Sequence, residues 1–279
     1  MAASLVRLQE IALAEPAVIV EKDGPVLVVT LNRPEKRNAI NCESMCRLYD
    51  AWQRLDHDDE LRVAILTGRG STFCAGMDLA EIGKMSAPVA ENEWIERARK
   101  EPALIYGAWL KTYRPTKPVI LAVEGFARAG GTEILQGTDI RVAGESAVFG
   151  VTEVQRGLFP MAGSAVRLRR QIGYAVAAEM LICGEDLPAK RAHELGLINH
   201  VVPDGQALAK AREIADRIAR NGPLAVKAII ATLRQTETLP EEQAFAIEQK
   251  HGMAVMASED AREGPRAFLE KRAPVFKGK

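Results

Sequence analysis

Three short apolar runs constrain this chain more than any other feature: VLVVTL at 26–31, LRVAILTG at 61–68 and VILAVEG at 119–125. Each is rich in aliphatic, β-branched residues and bounded by turn residues, which reads as a buried strand. Helical periodicity runs from about Asn41 to Asp56, and NRPEKRNAI before it reads as a turn. DIRVAG and AVFG read as two more strands. A charged stretch from about Ala90 to Leu110 reads as a helical excursion. Alternating strands and helices predict an α/β architecture. After about Val202 only helical patterns remain. DGQALAKAREIADRIARNG stops on Asn-Gly, and the next two helical segments each open with a proline. The expected division is a core over 1–203, with 1–17 as an N-terminal extension, and a helical C-terminal module over 204–279.

With 279 residues, 47% of them hydrophobic, the chain can bury a substantial core without disulfide or metal staples. The formal net charge of zero argues against a nucleic-acid partner held through its phosphates. Four cysteines, Cys42, Cys46, Cys74 and Cys183, form no CxxC pair, so no zinc site is expected and free thiols in a reducing cytosol are. The apolar N-terminus is interrupted by Gln9, Glu10 and Glu15, too soon for a signal peptide or a membrane span. A soluble, cytoplasmic protein that avoids membranes is expected.

Familiar motifs fail on inspection. GRGSTF places Phe73 where a dinucleotide fingerprint needs its third glycine, and GESAV ends on Val148 where a nucleophile elbow needs glycine. GFARAGGTEILQGTD, from Gly125 to Asp139, is more informative. A strand, then Gly130-Gly131, then a helix presents a free N–H at a positive helix end, where an oxyanion is stabilised. Glu133 lies in the first turn beside it. By itself, an acidic residue there is also what the helix dipole favours. The loop STFCAGMDL has the same form: strand, Gly76, the Met77 N–H, and a helix entry at Asp78-Leu79. Glu153 follows a short strand twenty residues past Glu133, and taken alone reads as a surface residue. Two loops with one N–H each, plus two carboxylates, form a working set for acid–base chemistry beside a carbonyl.

Together, LNRPEKRNAI, TFCAGMDL, AVEGFARAGGTEILQGTDIRVA, FGVTEVQRGLFP, AKRAHELGLINHVV and GPRAFLEKRAPVFKGK resemble the enoyl-CoA hydratase (crotonase) superfamily, in order over about 18–279. The resemblance implies a crotonase-like spiral of ββα units with a C-terminal helical trimerisation module, assembled as a homotrimer or a dimer of trimers. It implies an oxyanion hole from the N–H groups of Met77 and Gly130, and Glu133 and Glu153 as the paired hydratase glutamates. Arg37, Ala39, Ala75, Gly76, Asp78 and Leu79 would border the substrate's CoA moiety, and Lys271 or Arg272 could reach a CoA phosphate. No metal or other cofactor is implied, since coenzyme A is part of the substrate.

The implied activity is hydration of trans-2-enoyl-CoA in fatty-acid or steroid side-chain β-oxidation; GGTEILQGTDIRVAGESA with PMAGSAVRL looks most like actinobacterial members, some of which act on steroid side-chain enoyl-CoAs. Rivals are an enoyl-CoA isomerase, for which Glu153 alone would suffice, and a non-catalytic or RNA-binding member of the fold. The last should carry a lysine-rich helix, whereas DAWQRLDHDDE is acidic. Three departures from the family pattern stand out. Met161 and Ser164 replace glycines, Arg128 replaces a small apolar residue, and Ala80 replaces a lysine.

Overall fold

A computed structural model describes residues 15–279, except Ser86, Pro88, Ala90, Glu91 and the side chain of Ile82. The expected N-terminal extension lies outside the described residues up to residue 14. Among the described residues a six-stranded sheet has the order β1-β2-β3-β4-β6-β9. Its strands are β1 (Val18–Asp23), β2 (Val26–Leu31), β3 (Val63–Gly68), β4 (Val119–Val123), β6 (Ile140–Gly144) and β9 (His200–Val202). Only the β1–β2 pair is antiparallel. A second sheet, β5-β7-β8, comprises Phe126–Arg128, Val148–Gly150 and Asp186–Pro188.

The apolar runs are continuous because both faces of the large sheet are covered. Leu27, Val29, Leu66, Leu121 and Val123 point to the main core, where the helix Cys42–His57 packs with Trp52 and Leu55. Val28, Ile65, Ile120 and Val142 point the other way, under the helix Ala207–Ala219. The helix Cys42–His57 starts at Asn41, whose side chain accepts from the Ser44 N–H at 2.9 Å. The excursion is two helices, Glu93–Lys100 and Pro102–Ala108, broken where Pro102 removes a backbone donor. Trp52 ties the second of these to the core by donating to the Ala108 carbonyl at 3.0 Å.

Beyond β9 the chain is helical. The helices Pro223–Thr236, Glu241–Met256 and Glu259–Leu269 leave Leu233, Phe245, Met253, Met256, Phe268 and Leu269 exposed. The tail folds back on the last of them, where Asp260 accepts from the N–H groups of Lys277 and Gly278. No described helix is long and apolar enough to cross a membrane.

Four strands lie beyond the five expected: β1, β5, β8 and β9. β5 matters most. VILAVEG does not run into the glycine pair; its strand ends at Val123, and Gly125 turns the chain at φ +60° into the second sheet. A Cβ on Gly125 would lie 2.0 Å from the Ser71 carbonyl oxygen, so only glycine fits the corner.

Candidate active site

Two loops from neighbouring strands meet above the second sheet. After β3 the chain runs back alongside β5. Phe73 donates to Glu124, Cys74 to Phe126, and Arg128 in turn donates to the Cys74 carbonyl. The loop is fixed by Asn38, which is buried and in the left-handed region at φ 53°. Its amide donates to the carbonyls of Arg69 and Thr72, and its oxygen accepts from the Arg33 N–H. On the far side the Gly76 carbonyl accepts from Ile40, and Asp78 donates to the Ile40 carbonyl. That pattern is a parallel bridge between Ile40 and Met77, which turns the Met77 N–H away from Ile40.

The facing loop turns at Ala129, a non-glycine residue with φ 49° and ψ −124°. Its N–H donates to the Gly150 carbonyl at 2.8 Å, and its carbonyl accepts from Thr132 and Glu133. A backbone held in so sparse a region belongs to a site that uses its direction. The helix Gly130–Leu135 starts here, so the Gly130 N–H precedes any intrahelical acceptor. A Cβ on Gly76 would sit 3.2 Å from the Gly130 nitrogen, which brings the two loops together. Among the described residues neither the Met77 nor the Gly130 N–H has a protein acceptor.

The glycine pair is demanded by packing. A Cβ on Gly130 would meet the Trp109 ring at 2.5 Å, and one on Gly131 would meet the Cys74 carbonyl at 2.7 Å. Trp109 thus packs directly against the Gly130 Cα.

All six residues of the helix Gly130–Leu135 are buried, Glu133 among them. Its carboxylate accepts from the Ser164 N–H at 3.1 Å, and the preceding N–H groups of Ala162 and Gly163 lie near enough to favour its ionised form. These donors sit at the N-terminus of the helix Ser164–Gln171, a backbone cradle for an anion. Burial still dominates and raises the Glu133 pKa above its ordinary value; the three N–H groups and the Lys111 charge pull it back down. Glu153 opens a 3₁₀ turn, Glu153–Arg156, after β7. Burial and the nearby Glu133 charge push its pKa up to about 7. Its Oε2 is buried and has no hydrogen-bond partner. The surface reading of Glu153 is therefore corrected.

The remaining expected residues gather along one edge. Ala75 donates to the Arg37 carbonyl at 3.0 Å, and the Ala39 carbonyl accepts from Arg33. Asp78 forms an ion pair with Arg33 at 3.0 Å and caps Ala80, so its carboxylate faces protein. The Arg37 side chain and Leu79 are exposed. Arg272 is held by Glu263 and Glu270. Arg128 has a local role: it pairs with Asp186 across the second sheet and stacks over Phe126.

Sequence reasoning missed Asn38, Trp109 and the Ala162–Ser164 cradle. The first lies inside the turn motif NRPEKRNAI, where nothing local singles it out. The cradle carried one usable signal, a glycine just before a helical stretch.

This is a two-sheet spiral whose adjacent loops converge on a pair of N–H groups and a pair of carboxylates. The model for the family described as enoyl-CoA hydratase/isomerase matches residues 21–279. The chain is 53% identical to "Enoyl-CoA hydratase EchA19" of Mycobacterium tuberculosis over 264 residues, covering 95% of this chain and 97% of the relative. It is 40% identical to "Mevalonyl-coenzyme A hydratase sidH" of Aspergillus fumigatus over 90% of this chain and 91% of that one. Among solved structures, an enoyl-CoA hydratase from Mycobacterium tuberculosis matches with a TM-score of 0.85 at 42% identity, covering 95% of this chain and all of the other. The chain belongs to the enoyl-CoA hydratase/isomerase family, and its fold is the crotonase fold.

Proposed function

We propose that this protein is a hydro-lyase that adds water across the 2,3 double bond of trans-2-enoyl-CoA thioesters. The observation that carries the reading is the pairing of a buried carboxylate, Glu133, cradled by N–H groups, with a half-buried one, Glu153, whose Oε2 is buried and unpartnered, beside two free backbone donors. The thioester carbonyl oxygen would accept from Met77 and Gly130. As water attacks C3, negative charge grows on that oxygen as an enolate, and the donors bind it most tightly at that point. Glu133, ionised in its cradle, takes a proton from the attacking water. Glu153, protonated up to a pH of about 7, gives its proton to C2. Exchange with solvent then restores both groups.

Arg37, Ala39, Ala75, Gly76, Asp78 and Leu79 form the edge assigned to CoA. Asp78 serves through its backbone and its hold on Arg33. No dissociable cofactor is needed for this chemistry. The exposed apolar residues of the three last helices support burial against further copies, as a trimer or hexamer. The reading extends to β-oxidation of fatty or steroid side chains in the cytoplasm.

The test is product mass on short, long and steroid-derived trans-2-enoyl-CoAs in ordinary and oxygen-18 water. One labelled oxygen in the product establishes hydration. A moved double bond without label makes the protein an isomerase. Thioesters returned unchanged remove the proposal.

A further inference from the structure

The cradle that holds Glu133 is itself held from outside. Lys111 donates from Nζ to the Met161 carbonyl at 2.6 Å, one residue before the three cradle N–H groups begin. The same ammonium lies 4.4 Å from the centre of the Tyr106 ring, which limits where it can point. Leu110, just before it, has φ +55°, a costly setting for a leucine that swings Lys111 toward residue 161. Its carbonyl accepts from Arg167 at 2.8 Å, and the Lys111 carbonyl from the same guanidinium at 3.2 Å. Arg167 belongs to the helix that begins at Ser164. The pair Leu110-Lys111 therefore grips the loop 161–164 on both sides.

We infer that Lys111 is a positioning residue for Glu133: it fixes the Met161 carbonyl so that the next three N–H groups converge on the carboxylate. The inference rests on the hydratase reading, with Glu133 as base. The charged groups acting on Glu133 among the described residues are Lys111 from this segment, Glu153 from the turn after β7 and Arg167 from the helix Ser164–Gln171. Lys111 and the cradle both favour the ionised carboxylate, so losing Lys111 moves the Glu133 pKa upward and empties the base form at lower pH.

The experiment compares Lys111→Met, Lys111→Gln and Lys111→Arg with the parent. Hydration by Lys111→Met should fall on the order of 10-fold to 100-fold, chiefly in kcat, as expected for a mispositioned catalytic group. The acid limb of its pH–rate profile should move to higher pH. Lys111→Arg, which can donate to the same carbonyl with its charge kept, should recover most of the rate. Lys111→Gln should keep part of the rate and still show the shifted limb. The Glu133 carboxylate band, isolated by infrared difference against Glu133→Gln, should titrate at higher pH in Lys111→Met without any substrate. An unchanged titration in a folded Lys111→Met variant overturns the inference, whatever the activity. If the parent hydrates no enoyl-CoA, the hydratase reading fails instead, and the infrared titration still decides whether Lys111 governs Glu133.

Discussion

The helix Gly130–Leu135 and the turn Glu153–Arg156 each bring one carboxylate within electrostatic reach of the other, and they surround it differently. Glu133 is the more buried, yet it accepts from the Ser164 N–H, and the neighbouring Ala162 and Gly163 N–H groups and the Lys111 ammonium favour its charge. Glu153 is less buried, has an orphaned oxygen and faces the charge of its neighbour. Depth of burial alone would assign the proton to Glu133. Hydrogen bonding to the ionised form, together with like-charge repulsion, assigns it to Glu153. Two identical side chains thereby become suited to opposite halves of an acid–base reaction.

The largest expected effect tests that division directly. Glu133→Gln and Glu153→Gln should each lower hydration on the order of 10²–10⁴-fold, with the double variant far from additive because in the proposed reaction the two serve one addition step. Glu133→Ala should abolish hydration while sparing any double-bond migration, as product analysis would reveal. Equal, small losses would break the comparison.

Next comes the packing of Trp109 on Gly130. Gly130→Ala forces the Trp109 ring or the Gly130 backbone to move, because the new Cβ starts 2.5 Å from the ring. Hydration should drop on the order of 10²–10³-fold, the usual loss for a displaced oxyanion donor. A Trp109→Leu change in the same chain should restore part of it; no rescue would detach Trp109 from this geometry.

The pH dependence sharpens the comparison. For hydration, kcat/KM should be bell-shaped, with apparent pKa values that belong to the coupled pair. The acid limb follows Glu133 losing its ionised form. The basic limb lies near pH 7, where Glu153 gives up its proton. A profile flat from pH 6 to 9 would mean that Glu153 does not need its proton.

Stability carries the smallest effect. The Glu153 pKa is raised from 4.5 to about 7 on folding, so its contribution is fully present below the unfolded value and is lost as pH rises through the folded value. Glu153→Gln should therefore stabilise the protein at pH 8 more than at pH 4. The difference is about 2 kcal/mol, after discounting for partial exposure. Thermal unfolding at both values measures it, and a difference of the opposite sign would mean that the charged form has a partner.

Local patterns carried much of this. Of the five strands expected from apolar runs, four are buried in the covered large sheet and the fifth, Val148–Gly150, lies in the second sheet. Glu133 and Glu153 could be paired from sequence because each follows a strand and a short turn. The strand Phe126–Arg128 could not be read, since its three residues show no period and it is defined by pairing with Val148–Gly150 and a bridge to Cys74, both remote in the chain.

The sequence by itself determined the α/β order, the four strands β2, β3, β4 and β6 of the large sheet, the helical end of the chain and the placement of two glycine loops, since these follow from hydrophobic period and turn chemistry within a few residues. Only the tertiary structure decided what each group experiences. Gly130 is small because Trp109 lies over it, and the Glu133 carboxylate meets N–H groups about thirty residues away. Glu153 holds its proton because of burial and a neighbouring charge. Protonation and N–H direction depend on distances between segments remote in the chain, and no local pattern encodes them.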